Sequence, residues 1–197
     1  MMPAAGANRR LAQARCTSWR RNADLPLRYD LLTILIVDDN HHMRVLIAEI
    51  LKALGVRQIH EASDGAQGLQ MVRQHQLDII ITDLSMQPLD GIEFVRLLRR
   101  SPDSPSRMCP VIMITGHSTM ARVLEARNAG INEFLAKPLT ARGVVERISQ
   151  VIDHPRPYVK TADYFGPDRR RRADPGYAGA PRRAGDTSRQ KAEVYEL

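Results

Sequence analysis

LDIIITDLSMQPLDG, residues 77–91, decides how the rest of the chain is read. Ile79, Ile80, Ile81 and Thr82 form an unbroken β-branched run that ends on Asp83. Such a run, apolar at every position, belongs in a strand covered on both faces, which is the habit of parallel sheets. A carboxylate at its end is either a helix cap or the working end of a site. The stretch leaves through a loop holding Pro88 and closes on Asp90-Gly91.

The same texture recurs on both sides. TILIV (33–37), VRQIHEA (56–62), PVIMIT (110–115) and INEFLA (131–136) read as four further strands. Met43, Leu46, Ile47, Ile50, Leu51 and Leu54 form one apolar helix face, and Val144, Val145, Ile148, Val151 and Ile152 form another. Further helices are predicted near 65–75, 92–100 and 118–129, the last with the weakest pattern. Asn40 and Thr140 suit N-caps and Gly55 a C-cap. Five strand–helix units predict a flavodoxin-like, doubly wound α/β domain over residues 31–154, a five-stranded parallel sheet with five helices.

The net charge of +7 does not belong to that domain. Residues 1–30 carry six arginines against two acids, and 156–197 carry ten basic groups against six acids. Residues 31–155 hold thirteen basic and fourteen acidic groups, so the domain is near neutral and nucleic acid is an unexpected partner. Residues 1–30 are expected to be a disordered basic extension, with an Arg-rich organellar leader as the alternative. Residues 155–197, rich in Arg, Pro and Gly, are expected to be a disordered tail. No run approaches the roughly 18 apolar residues of a membrane span, and the first thirty lack the apolar core of a secretory signal. Cys16 and Cys109 have neither metal-ligand nor disulfide-framework spacing. A soluble, cytoplasmic protein is expected.

In an open parallel sheet, ligands bind beyond the carboxyl ends of the strands. The first strand delivers Asp38-Asp39 there, the third Asp83, the fourth Thr115-Gly116 and the fifth Lys137-Pro138. Clustered carboxylates repel one another, and a hard cation such as Mg2+, bound through oxygen, removes the conflict. An aspartate beside it can act as a nucleophile toward phosphorus, giving an acyl phosphate. The equatorial oxygens then need partners, which the metal, Lys137 and the Thr115 hydroxyl can supply.

ILIVDDN, IIITDLSMQPLDG, VIMITGH and FLAKPL together resemble the receiver domain of bacterial two-component response regulators, over about residues 32–153. The resemblance implies Asp83 as phosphoacceptor. It implies Asp38, Asp39, Asp83 and the backbone carbonyl of Ser85 as Mg2+ ligands. Thr115 becomes the switch hydroxyl, and Lys137 the phosphate-pairing cation, held by a cis peptide before Pro138. Phe134 falls on the family's aromatic switch position, where Tyr is commoner. The loop proline is displaced by one residue, because Gln87 stands between Met86 and Pro88. The implied function is a stand-alone switch rather than an enzyme. A histidine kinase or histidine phosphotransfer protein phosphorylates it, and a downstream protein reads the surface of the fourth helix, fifth strand and fifth helix.

Taken singly, each of these residues has a plainer reading: Asp38-Asp39 and Asp83 as caps, Lys137 as a solvated charge, Phe134 as core. His41-His42 read as a solvated first helical turn, and DGAQG (64–68) as helix packing. Two rival functions fit the residue types. A metal-dependent aspartyl phosphatase of similar fold usually places Asp-x-Asp after its first strand, where this chain has adjacent aspartates. A nucleic-acid-binding regulator would act through the basic tails. YFGPDRRRR (164–172) is either a solubilising segment, a short partner-docking motif or a site of nonspecific binding to nucleic acid or an acidic membrane.

Overall fold

The computed structural model describes residues 28–101, 104–116, 119–169 and 193–195. Strands β1 (Thr33–Val37), β2 (Gln58–Ala62), β3 (Ile79–Asp83), β4 (Val111–Thr115) and β5 (Glu133–Ala136) form one parallel sheet in the order β2-β1-β3-β4-β5. Helices α1 (His41–Ala53), α2 (Gly65–Gln74), α3 (Gly91–Arg100), α4 (Met120–Ala129) and α5 (Ala141–Asp153) alternate with the strands. This is the predicted doubly wound architecture. The strand order reverses beside β1, so a crevice opens beyond the ends of β1 and β3.

Successive side chains of a strand point to opposite faces, and the core divides accordingly. Leu35, Val37, Ile80, Val111 and Met113 pack with Val72 of α2, with Ile92, Phe94, Val95 and Leu98 of α3 and with Ala126 of α4. Ile34, Ile36, Ile79, Ile81, Ile112 and Ile114 pack with Ile47 and Leu51 of α1 and with Val144, Ile148 and Val151 of α5. Each such fully buried aliphatic chain contributes about 1.5–3 kcal/mol. Strand β2, at the sheet edge, buries only Ala62.

The helices begin where the side chains direct. Asn40 accepts from the His42 and Met43 amides, Thr140 from Gly143, and Asp64 and Asp90 cap α2 and α3 in the same way. Gly55, with φ of 95°, follows the C-cap of α1. Helix α4 is the lightly anchored one. It buries only Ala126 and Ala129 and leaves Met120 73% exposed. A chain of ion pairs ties it to α3: Arg122 lies 2.8 Å from Asp90 and 2.9 Å from Glu125, and Arg96 lies 2.8 Å from Glu125.

The ordered domain extends past both expected boundaries. Tyr29, in a 3-10 turn over Tyr29–Leu31, packs against the core. Residues after 154, expected to be disordered, instead build β6 (Tyr158–Lys160) and β7 (Phe165–Pro167), paired antiparallel, with β8 (Glu193–Tyr195) on the other side of β6. The physical reason is a buried arginine. Arg99, 2% exposed, donates to the carbonyls of Gly130, Arg107 and Cys109 and to Asn132 Oδ1, while its guanidinium sits 5.1 Å from the Tyr158 ring centroid. Tyr158, fully buried, sends its hydroxyl to Cys109 O and Asn132 Oδ1. Arg107 covers the Phe165 ring at 3.7 Å, and Arg169 covers the Tyr164 ring and bonds Asn128 Oδ1. Cations and aromatics do here what aliphatic side chains do elsewhere, so a shortage of aliphatics was a misleading sign. Residues 164–169 of the YFGPDRRRR segment are accordingly engaged with their own domain. Residues 170–172, the rest of the predicted tail except 193–195, and residues 1–27 lie outside the described part.

Candidate functional site

Register aligns the strand ends. Val37 pairs with Thr82, so Asp38 and Asp83 leave neighbouring strands at one level, and Asp38 N donates to Ala62 O. Asp83 pairs with Ile114 and Thr115 with Ala136, which puts Thr115 and Lys137 one step further along the same edge. Asp83 and Thr115 are the last residues of β3 and β4, and Asp38 and Lys137 directly follow β1 and β5, so these four are aimed by strand ends rather than by a free loop.

Asp83 is 4% exposed and its two carboxylate oxygens are held differently. Oδ1 receives the Lys137 ammonium at 2.7 Å, and Oδ2 accepts the Ser85 amide at 2.8 Å. The loop after Asp83 is pinned by buried Leu84 and Met86 and by the Gly91 amide, which donates to Leu84 O. Gly91 has no alternative there, because a Cβ would collide with the Asp83 carbonyl oxygen. The displaced proline sits in a cis Gln87–Pro88 peptide, and Lys137–Pro138 is also cis, as expected.

Asp38 is 1% exposed. Its Oδ1 accepts the Asn40 amide at 2.8 Å, while buried Oδ2 has no hydrogen-bond partner among the described residues. Burial first, and then the neighbouring charge of Asp83, holds its carboxyl above the usual carboxylate range, against the opposing pull of the Asn40 amide and Lys137. Asp39 is exposed at the mouth. Thr115 is 8% exposed, and its carbonyl accepts the Lys137 amide at 2.8 Å, locking β4 to the lysine. Phe134 is half-buried against the core cluster that includes Met113, its register partner. Ser85 is at the surface, joined to Asp83 through its amide.

The structure thus brings Asp38, Asp83, Thr115 and Lys137 to one edge, with Asp39 beside them. Among the described residues, no three acidic, histidine or cysteine side chains gather into a ready-made metal cage. His41 and His42 are exposed on the first turn of α1, and Gly68 packs against Phe94 and Val37, as their plainer readings had it. Two residues escaped sequence reasoning. Gly91 was signalled by the Asp-Gly pair, but Arg44, which grips the acidic loop, looked like any helix-surface cation.

A family model described as the response regulator receiver domain matches residues 34–149. The chain belongs to the receiver family. Among similar proteins, chemotaxis protein CheY-3 of Vibrio cholerae is 33% identical over 122 residues, covering 62% of this chain and 92% of its own length. The chemotaxis protein CheY of Pseudomonas aeruginosa is 34% identical, covering 62% of this chain and 97% of its own. Among solved structures, Vibrio cholerae CheY4 superimposes with a TM-score of 0.57 at 25% identity, over 61% of this chain and 98% of its own. The receiver domain of a Pseudomonas aeruginosa sensor histidine kinase, described with magnesium coordinated in its active-site cleft, gives a TM-score of 0.55 at 27% identity, over 62% of this chain and 98% of its own. Receivers are switch modules of two-component systems and not enzymes in the ordinary sense. The β6–β8 extension lies beyond the residues that the family model covers. No helix among the described residues of this receiver is long and apolar enough to cross a membrane.

Proposed function

We propose that this receiver accepts a phosphoryl group on Asp83 from a histidine kinase or histidine phosphotransfer protein in the cytoplasm. The observation that carries the reading is the contrast between the two buried carboxylates. Asp83 is oriented by one amide and one ammonium, whereas Asp38 keeps a buried oxygen with no hydrogen-bond partner among the described residues. An orphaned carboxylate oxygen beside a second acid is a fit for a hard divalent cation. The lack of a closed cage among the described residues agrees with Mg2+, which keeps several waters and uses one or two carboxylates with phosphate.

Asp38, Asp39, Asp83 and the Ser85 carbonyl are the groups to hold that ion. When bound, it neutralises charge on the phosphoryl oxygens. The remaining work falls to this chain's own side chains. An Asp83 carboxylate oxygen forms the O–P bond as the N–P bond of the donor phosphohistidine breaks. The Ser85 amide on Oδ2 keeps the carboxylate from turning. Lys137 exchanges its partner from the carboxylate to a phosphoryl oxygen, and the Thr115 hydroxyl engages another. Movement of Thr115 and Phe134 then changes the α4-β5-α5 surface, where lightly anchored α4 costs least to shift, and with it the choice of downstream protein. Tyr164 and Phe165 are occupied within the domain, so output is assigned to that surface rather than to their motif.

The test is intact mass after incubation with Mg2+ and a small-molecule phosphodonor. A single adduct of about 80 Da is expected, one phosphoryl group on one aspartate, absent in Asp83→Asn. No adduct from any donor or kinase would sink the proposal.

A further inference from the structure

Arg44, in the first turns of α1, keeps only 14% of its side chain accessible. Its guanidinium lies across the acidic loop. Nη1 donates to the main-chain carbonyl of Asp38 at 2.8 Å and reaches that of Asp39 at 3.5 Å. Nε donates to Glu61 of β2 at 3.3 Å, and Nη2 lies 3.3 Å from His41 Nδ1. Capping does not explain the arrangement, because Asn40 already caps α1. A planar fork with donors on several sides can bridge main-chain carbonyls and a carboxylate at once.

We propose that Arg44 is a positioning residue for the cation site: it holds the main chain from which the Asp38 and Asp39 carboxylates project. The inference rests on the phosphoacceptor reading above. Asp38 Oδ1 is fixed by Asn40, and Oδ2 has no bond among the described residues, so the backbone sets where that oxygen stands. Mg2+ tolerates little error, because its oxygens must lie near 2.0–2.1 Å in octahedral array. Glu61 anchors the other end of the guanidinium to the sheet and offsets its charge. The sign of the effect separates geometry from electrostatics. A cation near a cation site repels the metal, so if charge alone mattered, removing Arg44 would tighten binding. A positioning residue does the reverse.

The experiment is calorimetric titration of Mg2+ into the full chain, with wild type, Arg44→Met and Arg44→Lys. Outer partners of metal ligands are worth about tenfold in affinity, so Arg44→Met is expected to weaken binding about tenfold. Arg44→Lys keeps the charge but not the fork and is expected to recover less than half of that. In phosphorylation by the small-molecule donor, the Mg2+ concentration for half-maximal rate should rise while the rate at saturating Mg2+ holds. Unchanged or tighter binding in Arg44→Met overturns the proposal. Should Arg44→Met fail to fold, Arg44→Lys decides alone, and wild-type affinity there overturns it. Wild type that binds no Mg2+ overturns the phosphoacceptor reading as well, which sets that failure apart from one confined to Arg44.

Discussion

Lys137 Nζ and Asp83 Oδ1 stand 2.7 Å apart, joining the ends of β5 and β3 across the full width of β4. The lysine keeps 35% of its side chain in solvent, while the aspartate keeps 6%. The exposed partner is thus the cation and the buried partner the carboxylate, which suits the proposed role of Asp83 as phosphoacceptor. A hydrogen bond to a charged group is worth about 1.5–3 kcal/mol. Lys137→Met is therefore expected to slow adduct formation about tenfold or more, read by intact mass against time, with Mg2+ affinity largely kept.

Asp38→Asn should make the protein more stable and less able to bind Mg2+. Its buried carboxylate is held above the usual range by burial and by Asp83. An amide of the same shape removes the charge conflict, and about 1 kcal/mol of gain corresponds to roughly 2–4 °C in Tm for a chain of this size. Calorimetric melting with and without Mg2+ checks both halves. A variant less stable than wild type without metal would refute the idea that Asp38 is strained.

Acidification should loosen the β2–α2 edge. His60 and His75 stack with centroids 4.1 Å apart, and burial, helped by His75, holds the His60 pKa below its ordinary value. The unfolded chain therefore takes up a proton at a pH where folded His60 resists it. That contribution is intact above about pH 6.5, the unperturbed histidine value, and is lost as pH falls through it. Urea midpoints at pH 7.5 and 5.5 should differ more for wild type than for His60→Gln. Equal differences would show that the pair is silent.

Helix α4 should be salt-sensitive. With only two alanines buried, it depends on the Asp90–Arg122–Glu125–Arg96 chain, whose members are partly exposed and open to screening. Amide exchange in α4 should quicken in Arg122→Gln, or in wild type at 1 M salt, where the screening length falls to roughly 3 Å. Exchange in α5 should stay as it was. Uniform exchange changes in all helices would remove the special role of the ion chain.

The extension should be integral to stability. Tyr158→Ala empties a fully buried aromatic site, a change that costs about 3–5 kcal/mol. Tyr158→Phe loses only the hydroxyl bonds, about 1 kcal/mol. Denaturant unfolding of the three proteins tests the ranking, and a Tyr158→Ala chain as stable as wild type would return the segment to the status of a loose tail.

The sheet was readable from the sequence because β1, β3 and β4 are buried on both faces, which leaves a signature of unbroken aliphatic residues. Edge strand β2 begins at Gln58, two residues after the predicted start, since Val56 is buried without being a strand residue. Aspartates, threonine and lysine at strand ends were legible as neighbours on one sheet edge, and the register brings them there. Arg44 and Arg99 could not be read so. Each acts by donating to main-chain carbonyls, and a carbonyl looks the same in every residue of a sequence. The β6–β7 pair was missed for a related reason, because its core is made of guanidinium and ring contacts that leave no aliphatic periodicity.

The carbonyl partners of Arg99 carry one more consequence. The floor that receives Tyr158 is specified chiefly by backbone shape, with Asn132 as the side chain it demands. Arg99 asks only for the carbonyls of residues 107, 109 and 130, while their side chains answer to other needs: Arg107 covers the Phe165 ring, Cys109 is buried in the core, and Gly130 makes a left-handed turn. The attachment of the rear segment thus hangs on main-chain carbonyls that several independent contacts hold in place, at the opposite end of the sheet from Asp38 and Asp83.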